Sequence, residues 1–218
     1  MELAANVMAV RQEIAAACAR VGRDPSSVRL IAVTKNQEPQ VLAALAAAGI
    51  GDIGENRLEH QRSMHGSATA LGLRVHAIGR IQGRQLGDLI PLSSCLHSLC
   101  SADHLRRLMQ ACSGRTGQFP VFVQVNTSGE PAKAGVSPAD LANLVEAIHR
   151  EPGLALEGLM TMAPEGAAES VVRSTFRSLK QLAAAHHLPR LSMGMSQDFA
   201  IAVEEGATDV RIGTRLFA

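Results

Sequence analysis

Lysine is scarce in this chain. Of its 21 basic residues, only Lys35, Lys133 and Lys180 are lysines, and the rest are arginines. Lys35 stands directly after IAVT, at the end of the most apolar, β-branched run in the sequence. A desolvated lysine can shed its proton and act as a nucleophilic amine, whereas arginine keeps its charge. A free amine is what a Schiff base with an aldehyde requires. A second group of residues lies near the C-terminus: Arg211, Gly213 and Thr214 in RIGT, preceded by Gly194, Met195 and Ser196 in GMS. Amides at Gly213 and Thr214 can close on an anion because glycine has no side chain, and Ser196 adds a hydroxyl. Taken singly, these features also read as a strand-end lysine reaching solvent and as ordinary turns.

The elements that would position these residues alternate along the chain. The first twenty residues form an amphipathic helix, with Leu3, Val7, Val10, Ile14, Cys18 and Val21 at three- and four-residue steps. Strands are then expected at 28–34, 51–54, 74–79, 95–99 (weakly marked), 120–126, 156–162, 191–194 and 208–213. Helices are expected between them, at 39–49, 56–65, 83–90, 101–112, 138–150, 168–186 and in a short stretch ending at Glu205. Eight strand–helix units with an extra helix in front predict a (β/α)8 TIM barrel; an open doubly wound sheet is the alternative. In a barrel the reactive face lies just past the strand C-termini, which puts Lys35, Glu55, Asn56, Ser196, Arg211, Gly213 and Thr214 on one rim. An amine and an anion cradle on one face suit a phosphorylated aldehyde such as pyridoxal phosphate (PLP).

Composition limits the alternatives. The 218 residues carry a net charge of +1, five Phe, no Tyr and no Trp. Phenolic acid–base chemistry by this chain is thereby excluded, as is base stacking on an aromatic platform. Scattered basic residues give no nucleic-acid footprint. The longest apolar run, residues 41–51, is too short to span a bilayer, no secretory signal is visible, and a cytoplasmic location is expected. Cys18, Cys95, Cys100 and Cys112 lack metal-ligand spacing and read as reduced packing thiols. His60/His65 and His186/His187 fall on expected helix surfaces at spacings unsuited to a metal, so no metal site is expected. His76, in mid-strand, is either a core imidazole or a neighbour of a bound ring. Lys133 reads as a solvated loop charge or an outer anion contact.

Seven segments in order carry a resemblance: IAVTK (31–35), IGEN (53–56), HAIGRIQ (76–82), VNTSGEPAKAG (125–135), LEGLMTMAP (156–164), LSMGMSQD (191–198) and TDVRIGTRLF (208–217). The chain resembles the family of pyridoxal-phosphate-binding homeostasis proteins, single-domain barrels related to the N-terminal domain of alanine racemase (PLP fold type III). The resemblance implies one PLP-binding barrel over residues 1–218, with the cofactor held on Lys35 as an internal aldimine. It implies Ser196 and the amides of Gly213 and Thr214, with Met195, as the phosphate site. Arg211 is implied as the partner of the pyridine nitrogen, with Asn56 and His76 as walls beside the ring. A guanidinium facing that nitrogen keeps it unprotonated and the ring a poorer electron sink, which disfavours transamination. Three departures stand out: Gly83-Arg84 where the family pattern has Asn-Lys, Thr34 where Ser is commoner, and an end at Phe217-Ala218 without the short Gly-led tail.

The resulting expectation is a non-catalytic PLP carrier that buffers or delivers the cofactor, with apo PLP-dependent enzymes as recipients and a monomeric or weakly dimeric state. The opposing expectation is a PLP-dependent racemase or related amino-acid enzyme on the same barrel. Its relative takes a Tyr from a second domain and a partner subunit, and neither is expected here. A cofactor-free phosphosugar enzyme would need more strand-end carboxylates or histidines than Glu55.

Overall fold

The computed structural model describes residues 2–129 and 134–218, so Lys133 lies outside the described residues. Eight strands form the centre: β1 (Arg29–Val33), β2 (Asp52–Glu55), β3 (Arg74–Ala77), β4 (Cys95–Leu99), β5 (Phe119–Gln124), β6 (Leu154–Met160), β7 (Arg190–Ser192) and β8 (Asp209–Ile212). Each runs parallel to the next, and β8 returns to β1 with Arg29 opposite Asp209 and Ala32 opposite Ile212. That last pairing closes the sheet and rules out the open doubly wound alternative. Parallel strands need crossovers. These are supplied by α2 (Val41–Ala47), α3 (Leu58–Ala70), α4 (Leu86–Leu89), α5 (Ala102–Cys112), α6 (Leu141–His149), α7 (Glu169–Ala185) and α8 (Phe199–Glu204).

The helix in front, α1 (Glu2–Arg20), buries Val7, Val10, Ile14, Ala17 and Cys18 against α8 and a last short helix, α9 (Thr214–Phe217). It fills the place in the outer ring that a helix after β8 would take. Asn6 fastens it by donating to the Leu216 carbonyl at 3.1 Å. Arg23, just beyond α1, donates to the carbonyls of Val203 and Ala207 beside α8.

Three elements differ from the sequence expectation, each for a local reason. α3 begins at Leu58 because Arg57 is extended (φ −135°, ψ 130°), which leaves Asn56 in the loop above β2. The expected helix at 83–90 is broken into a 3-10 turn (Gly83–Gln85), one turn of α4 and a second 3-10 turn (Ile90–Leu92) that contains Pro91. The weakly marked strand, β4, is wholly buried; its two polar residues, His97 and Ser98, interrupt the apolar run that normally marks a buried parallel strand. α9 has no counterpart in the sequence reading.

Close backbone approach fixes the register between β6 and β7. Gly158 pairs with Arg190, and a Cβ there would lie 2.0 Å from the Arg190 carbonyl oxygen. Gly158→Ala must therefore push the strands apart. The expected loss is about 1–3 kcal/mol, the usual range for overpacking, read as a lower urea midpoint at unchanged slope.

Candidate functional site

The strand C-termini surround a cleft of about 690 Å³, lined by Lys35, Asn56, Arg211, Gly213, Thr214, Met195 and Ser196 among others. Seven of the eight site residues expected from sequence thus converge. The eighth, His76, is not among the lining residues: its ring is buried inside the barrel, bonded to Asp52 at 2.8 Å and His97 at 2.9 Å. Alternation along β3 sends residue 76 inward, but periodicity does not say at which depth. Arg84, at the departure from the family pattern, is exposed on a 3-10 turn and also lies off the cleft lining.

Lys35 is presented by a tight turn. Gln37 N–H donates to the Thr34 carbonyl at 2.9 Å, and Asn36 takes the left-handed conformation at φ 66°. Beneath the turn lies Glu55, fully buried at the end of β2. Its carboxylate accepts from the Thr34 hydroxyl and from His60 Nδ1 at 2.7 Å. His60 Nε2 lies 2.9 Å from the Gln37 carbonyl. Both partners of this ring are acceptors, an arrangement that favours the doubly protonated ring. Burial alone would lower its pKa, but the Glu55 and Gln37 hydrogen bonds and the charges of Glu55 and Glu38 outweigh this and raise it. The sequence reading put His60 on a helix surface; it is instead a clip between the Lys35 turn and β2.

Along the same rim, past β7, Gly194 has φ 95°, and a Cβ there would lie 2.6 Å from that of Ala202. This bend brings Ser196 to β8, where its hydroxyl accepts from Gly213 N–H at 3.3 Å. Asp198 accepts from Met195 N–H at 2.6 Å and holds the loop. Burial pushes the Asp198 carboxyl up, against the opposing effects of that amide and of Arg211.

Arg211 forms the floor. It is buried, donating to the Ser192 hydroxyl and, at 3.0 Å, to the Thr161 carbonyl. Burial pulls its pKa down to about 10, partly offset by the charges of Asp198 and Asp209, which leaves it a cation at neutral pH. Asn56 closes one side, where a Cβ on Gly79 would lie 2.6 Å from its own Cβ. Its Oδ1 is buried and has no hydrogen-bond partner among the described residues. An orphaned acceptor in a cleft fits a ligand that brings a donor. Sequence reasoning missed Gln124, whose polar side chain inside the apolar run of β5 was a usable signal, and the mouth residues Arg80, Met162 and Glu165.

His76, Cys95 and His97 have ligand-type atoms within 4.8 Å of one another, a grouping their spacing in sequence did not suggest. The facing nitrogens of the two rings bond to each other, and burial pushes the Cys95 thiol far up.

Comparison with known proteins places this geometry. Residues 5–218 match the model of the alanine racemase N-terminal domain. The pyridoxal phosphate homeostasis protein of Pseudomonas aeruginosa is 36% identical over 99% of this chain and 94% of its own length, and that of Aquifex aeolicus is 35% identical over 95% and 94%. The chain belongs to the pyridoxal phosphate homeostasis protein family. PipY of Synechococcus elongatus PCC7942, solved with PLP bound, superposes with a TM-score of 0.83 at 31% identity, covering 94% of this chain and all of that one. Alanine racemase of Corynebacterium glutamicum shares the fold (TM-score 0.75, 18% identity), and this chain covers 60% of it. Among the described residues no helix is long and apolar enough to cross a membrane.

The His60 clip gives a signed pH dependence. A pKa raised on folding stabilises fully below the unfolded value of about 6.5 and is lost as pH rises through the folded value. The stability advantage of the wild type over His60→Gln in urea titrations should therefore shrink as pH climbs above about 6.5. A difference that stays constant with pH would show that the ring is not charged.

Proposed function

We propose that this chain binds PLP in the cleft, attached covalently through Lys35 Nζ, and that it stores or hands on the cofactor without turning over a substrate. The observation that carries this reading is the convergence of one amine, one anion cradle and one buried guanidinium on a single rim. The orphaned Asn56 Oδ1 supports it, as does the PLP bound to PipY. PLP itself supplies an aldehyde able to condense with an amine, and an electron-withdrawing ring.

The chain's own residues divide the work. Ser196 and the amides of Gly213 and Thr214, with Met195 beside them, hold the phosphate. The guanidinium of Arg211 has donors and no acceptor, so a pyridine nitrogen facing it must accept and cannot carry its own proton. That weakens electron withdrawal toward the ring and favours holding the cofactor over carbanion chemistry. Lys35 stands on the exposed turn, where water and an acceptor protein can reach it. A racemase needs a second acid–base on the opposite face. This chain contains no Tyr, so a phenol cannot come from it. Delivery to apo PLP-dependent enzymes, as a monomer or weak dimer in the cytoplasm, completes the reading.

Borohydride reduction of the PLP-loaded protein followed by peptide mapping should place the pyridoxyl label on Lys35. Lys35→Ala should abolish it while retaining weaker, reversible cofactor binding. Ser196→Ala should weaken binding about tenfold or more, the usual cost of a lost hydrogen bond to a charged group. Label on another residue would overturn the attachment site. Multiple turnovers of racemised, deaminated or decarboxylated product from a panel of L-amino acids would make the protein an enzyme.

A further inference from the structure

The barrel interior beneath Arg211 is polar. Arg211 Nη1 donates to Ser192 Oγ; Ser192 Oγ lies 2.8 Å from His97 Nδ1; His97 Nε2 lies 2.9 Å from His76 Nδ1; and His76 Nε2 lies 2.8 Å from Asp52 Oδ1. All five side chains are buried. Arg211 borders the cleft and the other four do not. Asp52, at the opposite end of its strand, pairs with Arg74 at 2.8 Å and Arg29 at 3.8 Å, and Arg74 is half exposed. The line of contacts therefore runs through the barrel, from the floor of the cleft to the rim at the strand N-termini. His97 is held in place by stacking on Phe122 at a 4.4 Å centroid separation and by an edge contact with His76.

The chemistry of its ends gives this line a direction. The Ser192 hydroxyl touches two groups, and Arg211 can only donate to it, so its own proton goes to His97 Nδ1. Burial, and then the nearby charges of Arg211, Arg190 and Arg29, hold His97 neutral. Its single proton is thus on Nε2 and points at His76 Nδ1. His76 then accepts at Nδ1 and donates from Nε2 to Asp52. Burial raises the Asp52 carboxyl, but the hydrogen bonds from His76 and Arg74 and the Arg74 charge bring it below the ordinary carboxylate range, so it is an acceptor only. Each intermediate group passes one hydrogen bond onward, and no proton is left over. Such chains polarise one another, each bond strengthening its neighbours.

We propose that Ser192, His97, His76 and Asp52 act as positioning residues for Arg211: a one-way hydrogen-bond relay that orients the guanidinium toward the cleft and ties its grip on the ligand ring to a carboxylate on the far side of the barrel. The inference rests on the PLP reading for its effect on the ligand, but the relay itself is a property of the free chain.

The experiment has two arms. In the ligand-free, full-length protein, nitrogen NMR of histidine-labelled samples should find His76 and His97 both protonated on Nε2 and unprotonated on Nδ1. A proton on Nδ1 of either ring would overturn the relay whether or not the protein binds PLP. In the second arm, PLP affinity and inorganic phosphate affinity are measured side by side on folded variants. Ser192→Ala should lower PLP affinity about fivefold or more, the cost of one lost hydrogen bond, with phosphate affinity unchanged and Ser192→Thr restoring PLP binding. Asp52→Asn, remote from the cleft, should lower PLP affinity in the same selective way by a smaller factor. Equal losses for both ligands, or none, would reduce these residues to barrel packing and overturn the proposal. Failure of the wild type to bind PLP would instead strike the functional reading, leaving the tautomer result to decide the relay.

Discussion

Pairing between the first and last strands brings the site together. Lys35 follows β1 and Gly213 follows β8, so the amine and the anion cradle come from opposite ends of the chain. They become neighbours because Ala32 lies opposite Ile212 in the closing ladder. The fit at that seam is tight: a Cβ on Gly213 would lie 3.3 Å from the Val33 carbonyl oxygen. A sheet that stayed open would leave the two groups on separate edges, each chemically unremarkable. Closure also removes both sheet edges, which otherwise invite pairing with other chains. One set of hydrogen bonds thus serves stability and site assembly together.

Closing a barrel creates an interior, and this one holds charge. Arg211 enters it with only neutral direct partners, Ser192 and Thr161, among the described residues. Isolated buried cations are costly. The cost is spread over Asp198 and Asp209 at a distance and over the polar line through His97 and His76. At the other end, Asp209 is fully buried and is met by Arg190 at 2.5 Å and Arg29 at 3.4 Å. Acidic and basic groups therefore alternate through the core, and the positive floor of the cleft is held by the layers beneath it.

The sequence carried much of this arrangement. Lys35 could be read because lysine is rare here and because the run before it ends a strand. Ser196, Gly213 and Thr214, each also readable as part of an ordinary turn, could be singled out because they share a rim with that lysine. The match to the homeostasis family bears out the family resemblance that the seven segments carried. What stayed hidden depends on contacts distant in sequence. Two-residue alternation sent His76 inward without revealing that His97 and Asp52 waited there. The role of His60 needed the Gln37 carbonyl, 23 residues away, to face it. β4 looked weak because the buried histidine and serine it carries, His97 and Ser98, are the residues that erase a strand's apolar signature.

The mouth of the cleft has an oxidative side. Met162 and Met195 line it and are 39% and 37% exposed, while Cys95 is buried and burial raises the pKa of Cys18, Cys100 and Cys112. Thiols react as thiolates, so these four are slow targets. Thioethers need no deprotonation, and an oxidant arriving at this face meets them first. Conversion to the sulfoxide would turn two flexible apolar side chains at the entrance into polar, chiral ones. Oxidation at this face would then change how ligands pass the mouth while leaving the buried barrel thiols untouched.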